Sequence, residues 1–287
     1  MHYPKEQRYI GASDKRIIYV RGIVLTQTET QNFDKFFYYH ESVQSPEEDS
    51  KFLARVYKEY RGTAPDKNFV MREDFCSTFA ITCEWVKQSD YHIGHAIDLE
   101  PSTLEYGKEN YLSKLDNDAQ GRVNLLLQDV LKKDGMPTAD IVCALNFSYF
   151  IFKERSTLKS YFQNVYNTLN EDGVLVIDCF GGSKCYEPNE EETEHDDFSY
   201  FWDQDTYDPI TNNGMFYIHF QRKGEAKREK CFEYDWRMWS IPEIKDIMKE
   251  VGFSSVDVYW EGTDEDGDGD GVFKKTHIGE DCESWIC

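Results

Sequence analysis

The chain has 287 residues, 40% hydrophobic and 15% aromatic, which is too much apolar matter for a disordered protein and enough for one large domain or one domain with an insertion. Fifty-four Asp and Glu against 32 Lys and Arg leave a formal charge of -22, so the field repels phosphate backbones and anionic bilayers, and neither nucleic acid nor membrane is expected as a partner. No apolar run has the length of a membrane span, Met1 to Glu6 lack a signal-like stretch, and the eight cysteines include no C-x-x-C pair. A cytoplasmic protein with free thiols and no metal site is the expectation.

Residues 1 to 32 read as a lead-in, with a short hairpin formed by Ile17 to Val20 and Ile23 to Leu25. Phe36, Phe37, Phe52, Leu53, Val56 and Tyr57 then predict two helices separated at Ser45-Pro46, a helical cap that closes a first unit at 1–62. A regular alternation follows. Apolar runs at 69–71, 93–98, 123–127, 141–145 and 174–179 read as strands, and helical patterns at 78–88, from Pro101 to about Leu112, and near 154–169 fall between them. Such a βαβ series predicts an α/β unit over 63–182, a Rossmann-like, doubly wound, mostly parallel sheet. Over 183–240 the pattern changes to an acidic stretch, Glu187 to Asp197, and three aromatic-rich strands near 198–207, 214–222 and 228–237, an inserted antiparallel β meander. Residues 241–287 complete the core with a helix carrying Ile244, Ile247, Met248 and Val251, a strand from Val256 to Trp260, a Gly and Asp loop at 262–271 and a tail.

In an open parallel sheet, ligands bind beyond the carboxyl ends of the strands. The first strand ends in Arg72-Glu73-Asp74-Phe75-Cys76-Ser77-Thr78, the second in Asp98-Leu99, the third in Gln128-Asp129-Val130 and the fourth in Asn146-Phe147-Ser148. An ionised carboxylate is an acceptor only, so Asp98 suits the two hydroxyls of a ribose, and Asp129 with the Val130 N–H suits an adenine edge. Together they describe an adenosine site. Each residue has a plainer reading beside this one: Asp98 as the cap of the helix that begins near Pro101, Asp129 as a turn former, Asn146 as a loop cap, Cys76 as a small buried residue.

The segments F-V-M-R-E-D-F-C-S-T-F-A, H-A-I-D-L-E-P-S-T-L-E-Y-G, Q-D-V, A-L-N-F-S-Y-F-I-F and L-N-E-D-G-V-L-V-I-D-C-F-G-G resemble the successive motifs of class I S-adenosylmethionine-dependent methyltransferases, within a branch whose first motif reads R-E-D-F-C-G-T. The resemblance implies S-adenosylmethionine as cofactor, 63–182 as the cofactor-binding core and the meander as a substrate lid. It implies cofactor contacts at Arg72, Glu73, Phe75, Cys76, Ser77, Asp98, Leu99, Gln128, Asp129, Val130 and Asn146, with Glu73 toward the methionine part and Asn146, the catalytic candidate, beside the transferable methyl. Phe75, Ser77 and Phe79 stand where the family's loop has glycines.

Trp202, Tyr207, His219, Tyr234 and Trp236 are the candidate substrate contacts on the lid. The functional expectation is in-line methyl transfer to a small-molecule acceptor, which rests on alignment and needs a general base only for a protonated amine or an alcohol. The alternative is a non-catalytic cofactor-binding or regulatory protein on the same fold. Asp264 to Gly271 resemble a calcium loop, but the twelfth position is Lys275 counted from Asp264 and His277 counted from Asp266, where a bidentate Glu is needed. Asp208-Pro209-Ile210-Thr211 lacks the second Pro and the aromatic of a base-flipping D-P-P-Y motif.

Overall fold

The computed structural model describes residues 33–263, 269–279 and 282–287; the lead-in hairpin and residues 264–268 of the acidic loop lie outside them. Two helices, α1 (Lys35–Val43) and α2 (Pro46–Arg61), precede the sheet. α2 begins with Pro46 at its first turn and places Glu47, Glu48 and Asp49 at its N-terminus and Lys58 and Arg61 at its C-terminus, the charge order that the helix dipole favours.

Strands β1 (Phe69–Asp74), β2 (His92–Asp98), β3 (Val123–Leu127), β4 (Ala139–Ala144) and β5 (Leu169–Ile177) form one parallel sheet in the order β3-β2-β1-β4-β5. Helices α3 (Ala80–Lys87), α4 (Pro101–Asn110), α5 (Asn117–Gly121) and α6 (Arg155–Thr168) connect them, and α7 (Ile241–Val251) follows later. β4 is buried at every position, as a central strand covered on both faces must be. One core lies under α2 and α3 (Phe69, Met71, Trp85, Ala96, Ile141) and the other under α6 and α7 (Val142, Phe162, Val165, Ile247). The strand order reverses between β1 and β4, which opens the ligand-binding crevice of such sheets at their carboxyl ends.

After the short strand β6 (Phe180–Gly181), the strands β7 (Asn189–Glu194), β8 (Phe198–Asp208), β9 (Asn213–Arg222) and β10 (Arg228–Arg237) make an antiparallel sheet in the order β10-β9-β8-β7. Trp202, Phe216, Ile218, Phe220 and Trp236 on one face belong to the same cluster as α6 and α7, so the meander shares a core with the parallel sheet. The acidic stretch contributes the extra strand β7: its carboxylates line a sheet edge, where charge discourages pairing with other chains. Near the chain's end, β11 (Val258–Thr263) pairs with β12 (Gly269–Thr276), and β13 (Trp285–Ile286) pairs with β6. The strand expected from Val256 to Trp260 is found as β11, paired with β12 and not with the parallel sheet, whereas sequence reading makes β12 and β13 a loop and a tail because each carries too few apolar residues for a period to show.

α1 bridges the two sheets. Asp34 caps it and also accepts the Tyr106 hydroxyl of α4 at 2.8 Å, Phe36 packs on Tyr106 with ring centroids 4.8 Å apart, and Lys35 donates to the Cys231 carbonyl of β10. Among the described residues no helix is long and apolar enough to cross a membrane.

Candidate functional site

The segment from β1 to α3 contains three left-handed residues without being able to use glycine: Phe75 at φ 59°, Ser77 at φ 48° and Phe79 at φ 48°. Each such residue costs about 1–2 kcal/mol relative to an ordinary conformation. Phe79 offsets this by complete burial of its ring, and Phe75 packs on Phe152 and Tyr161 at 5.7 and 5.6 Å; a buried aromatic ring stabilises by about 1.5–3 kcal/mol, enough to cover the strain. Ser77 has no ring to bury. Its N–H donates to Asp98 Oδ2 at 2.7 Å, a bond to a charged acceptor worth about 1.5–3 kcal/mol. The close approach that glycine allows is supplied from across the interface: a Cβ at Gly107 of α4 would lie 2.3 Å from the Thr78 carbonyl and 2.4 Å from the Phe79 ring.

Asp98 is partly buried at the end of β2, with Oδ2 on Ser77 N–H and Oδ1 on Glu100 N–H at 2.8 Å. Each oxygen keeps a second lone pair. The cap of α4 is Glu100, whose side chain accepts from Ser102 N–H, so Asp98 is not that helix's side-chain cap. Leu99 and Leu127 beside this register are 65% and 60% exposed, unusual for leucines at the ends of core strands. They give the strand ends an apolar face next to the acid. Leu127 escapes the sequence reading because it looks like one more core residue of an apolar run.

At the end of β3, Asp129 accepts the Leu131 N–H at 2.8 Å, the turn-forming geometry, and is itself exposed; Val130 is buried. Gln128 is partly buried, its backbone N–H on the Asp98 carbonyl and its side-chain amide against Met136 Sδ. Asn146 and Phe147 at the end of β4 are both left-handed, at φ 55° and 56°. Their N–H groups donate to the two oxygens of Asp178, at 2.6 and 2.8 Å. Burial pushes the Asp178 carboxyl up to about 7 against these two bonds, which pull it down. Among the described residues nothing hydrogen-bonds the Asn146 carboxamide, which leaves it available to a ligand. Asp178 is absent from the sequence-level candidates although its signal is there, an acid interrupting the run V-L-V-I-D-C at the fifth strand's end.

Glu73 is nearly fully buried. Its Oε2 accepts both the N–H of Thr82 at 2.9 Å and the Thr82 hydroxyl, so it serves α3 as the cap that Phe79 cannot provide. Burial raises its carboxyl to about 8. Arg72, a cofactor contact in the sequence reading, has another task. It is 1% exposed, forms a two-bond pair with Asp74, and donates to the Pro137 carbonyl and the Thr168 hydroxyl, while Tyr161 donates to Asp74. This network holds β1 against α6 and occupies the donors of the Arg72 guanidinium within the protein. Cys76 is buried too, its N–H on the Ile97 carbonyl.

The lid residues also divide. Trp202 and Trp236 are 8% and 3% exposed and pack with Tyr234 and Phe216 as core; Tyr207 donates to the Asn212 side chain. His219 alternates with the core residues Ile218 and Phe220 and so faces away from that core. There Nδ1 accepts from Lys230 N–H at 2.8 Å, which puts the ring proton on Nε2, 3.1 Å from Asp203 and 3.6 Å from Glu190. This trio is a hydrogen-bond network: a cation on Nε2 would need the proton moved to the nitrogen that already accepts.

This fold has counterparts among solved structures. An S-adenosylmethionine-dependent methyltransferase from Clostridium acetobutylicum superposes with a TM-score of 0.63 at 19% identity, over 88% of this chain and 96% of that one. This is a methyltransferase fold. CalS10, an amino pentose methyltransferase from Micromonospora echinaspora with S-adenosylmethionine bound, gives 0.62 at 14% identity over 84% and 96%. The sugar N-methyltransferase KedS8 from a Streptoalloteichus species gives 0.57 at 14% over 96% and 98%. No family model and no curated protein matches the chain by sequence. On this fold Asp129 and Asp98 lie at the ends of the adjacent strands β3 and β2, Asn146 follows β4 on the far side of β1, and Asp178 follows β5.

Proposed function

We propose that the protein binds S-adenosylmethionine at the carboxyl ends of β1 to β4 and transfers its methyl group to a small-molecule acceptor. The observation that carries this is the strained loop Phe75 to Phe79: three left-handed residues are maintained without glycine, at a cost that only a required backbone shape explains. The donor set fits the cofactor, with a carboxylate that has spare lone pairs at Asp98 and exposed apolar surface at Leu99 and Leu127 for a flat purine. Asp98 would hold the ribose, Leu99, Leu127, Gln128, Asp129 and Val130 the adenine, and Phe75, Ser77 and the free Oε1 of Glu73 the methionine part. The sulfonium, when bound, supplies an electrophilic methyl.

The chain's own residues then orient and desolvate. Asn146, held in its turn by Asp178, can hydrogen-bond a nucleophile without taking its proton. Asp178 is the nearby carboxyl whose raised affinity for protons suits exchange near neutral pH. The names of CalS10 and KedS8 make amino sugars the first acceptors to try. Calorimetric titration of S-adenosylmethionine tests the binding, and mass spectrometry for a product one CH2 heavier, after incubation with a metabolite extract and labelled cofactor, tests the transfer. No heat at millimolar cofactor sinks the proposal; binding with no labelled product would favour a regulatory protein.

A further inference from the structure

The segment that follows Asp178 is closed by the chain's last described residues. Cys179 N–H donates to the Cys287 carbonyl at 2.8 Å and Cys287 N–H donates to the Cys179 carbonyl at 2.9 Å, the reciprocal pair that defines two directly opposed residues of an antiparallel ladder. Such residues have Cα atoms about 5.5 Å apart and side chains on one face, within the roughly 4.4–6.8 Å span of disulfides. The contact is built, not casual. Trp285 and Ile286 pair with Gly181 and Phe180, Ser183 and Lys184 N–H donate to the Cys282 and Glu283 carbonyls, and a Cβ at Gly182 (φ 119°) would lie 2.3 Å from the Glu283 carbonyl oxygen. Both thiols are free, and the Cys179 thiol lies against the Phe180 and Trp239 carbonyls.

We infer that Cys179 and Cys287 form a reversible disulfide that staples this closing segment onto the link between β5 and β6, next to Asp178. The oxidant is a low-molecular-weight disulfide. Cys287, the more exposed of the two, attacks one sulfur of that disulfide; its S–S bond breaks, a mixed disulfide forms and one small thiolate leaves. Cys179 then attacks the Cys287 sulfur and expels the second thiolate. Two protein thiols are oxidised, one disulfide is reduced to two thiols, and the two protein protons pass to the leaving thiolates. The second step is slow. Cys179 is buried, and the adjacent Cys287 thiol, burial and the neighbouring Asp178 raise its thiol well above the ordinary range, with only the Tyr149 hydroxyl acting against them. Nothing in this requires the methyltransferase reading.

The test uses the full chain equilibrated in glutathione buffers from reducing to oxidising, then alkylated and mapped by peptide mass spectrometry. The expected result is loss of two of the eight alkylatable thiols, with a peptide linking Cys179 to Cys287, reversed by dithiothreitol. Closure should quicken about tenfold per pH unit between pH 7 and 8, because the resolving thiol is mostly protonated there. Hydrogen exchange at Phe180, Gly181, Trp285 and Ile286 should slow about tenfold or more on oxidation. Cys287→Ser should keep the fold and abolish the link. A chain that keeps all eight thiols in oxidising buffer, or one that links Cys282 to Cys287 instead, overturns the inference.

Discussion

Two strained turns sit side by side at the carboxyl ends of the strands, and they are held in different ways. The loop Phe75 to Phe79 buries one of its rings and packs another on α6, and it lends one N–H to Asp98 of the neighbouring strand. The turn Asn146-Phe147 depends on a single carboxyl, Asp178, which takes two N–H groups at once. The first is fastened mainly by apolar burial, which pH does not touch. The second is fastened by a titrating group, so protonation of Asp178 should loosen the Asn146-Phe147 turn and leave the packing of Phe75 and Phe79 unchanged.

Substitutions that remove one fastening at a time break the comparison. Phe79→Gly relieves left-handed strain but empties a fully buried ring site, and large-to-small changes of that kind cost about 3–5 kcal/mol. A net loss of roughly 1–4 kcal/mol in urea unfolding is the expected outcome after about 1–2 kcal/mol of strain is returned; a stabilised variant would mean that the ring anchors nothing. Asp178→Ala leaves two partly buried N–H groups without an acceptor, a loss of about 2–4 kcal/mol by the same measurement. Its cofactor affinity should change less than about threefold, since the residue serves the other turn. A large loss of affinity would merge the two regions into one.

pH sharpens the contrast. Asp49, Asp178 and Glu73 are raised to about 6, 7 and 8, each first by burial. A carboxyl whose folded value lies above its unfolded one keeps its proton in the native state where the unfolded chain has lost it. Stability therefore falls as pH rises from about 4 through each folded value, and is level beyond it. The thermal midpoint should decline between about pH 5 and 8. Glu73→Gln should flatten the upper part of that decline; a midpoint that rises across the range would contradict the assignment. The smallest effect belongs to Ser77→Gly, which removes strain without emptying a ring site: a gain of about 1 kcal/mol, checked by the same unfolding curves.

Much of this was legible before the fold. The alternation of apolar runs placed all five parallel strands, and the change of composition after Gly182 placed β8 to β10, because both patterns are dictated by burial. Three strand-end residues, Asp98, Asp129 and Asn146, were reachable because a polar side chain after an apolar run is conspicuous. Asp178 and Leu127 were not reached: the first lay inside a run taken as wholly apolar, and the second differs from its neighbours only in exposure, which no single sequence records. Arg72 and His219 are residues whose partners the sequence does not reveal. Their residue types suggest ligand chemistry, but one is occupied by the buried pair with Asp74 and the other faces away from the shared core. The glycine positions are the instructive case, since the loop keeps the backbone shape glycine usually supplies and stabilises it through its own side chains and through Gly107.

The central claim is that these strand ends form an adenosine-cofactor site with Asp98 at its centre. Calorimetric titration of S-adenosylmethionine into the wild-type chain and into Asp98→Ala, with circular dichroism to verify the fold, tests it most directly. Losing the charged acceptor of the ribose hydroxyls should weaken binding about 100-fold while the variant stays folded. Equal affinity in the two proteins, or no binding by the wild type, would contradict it.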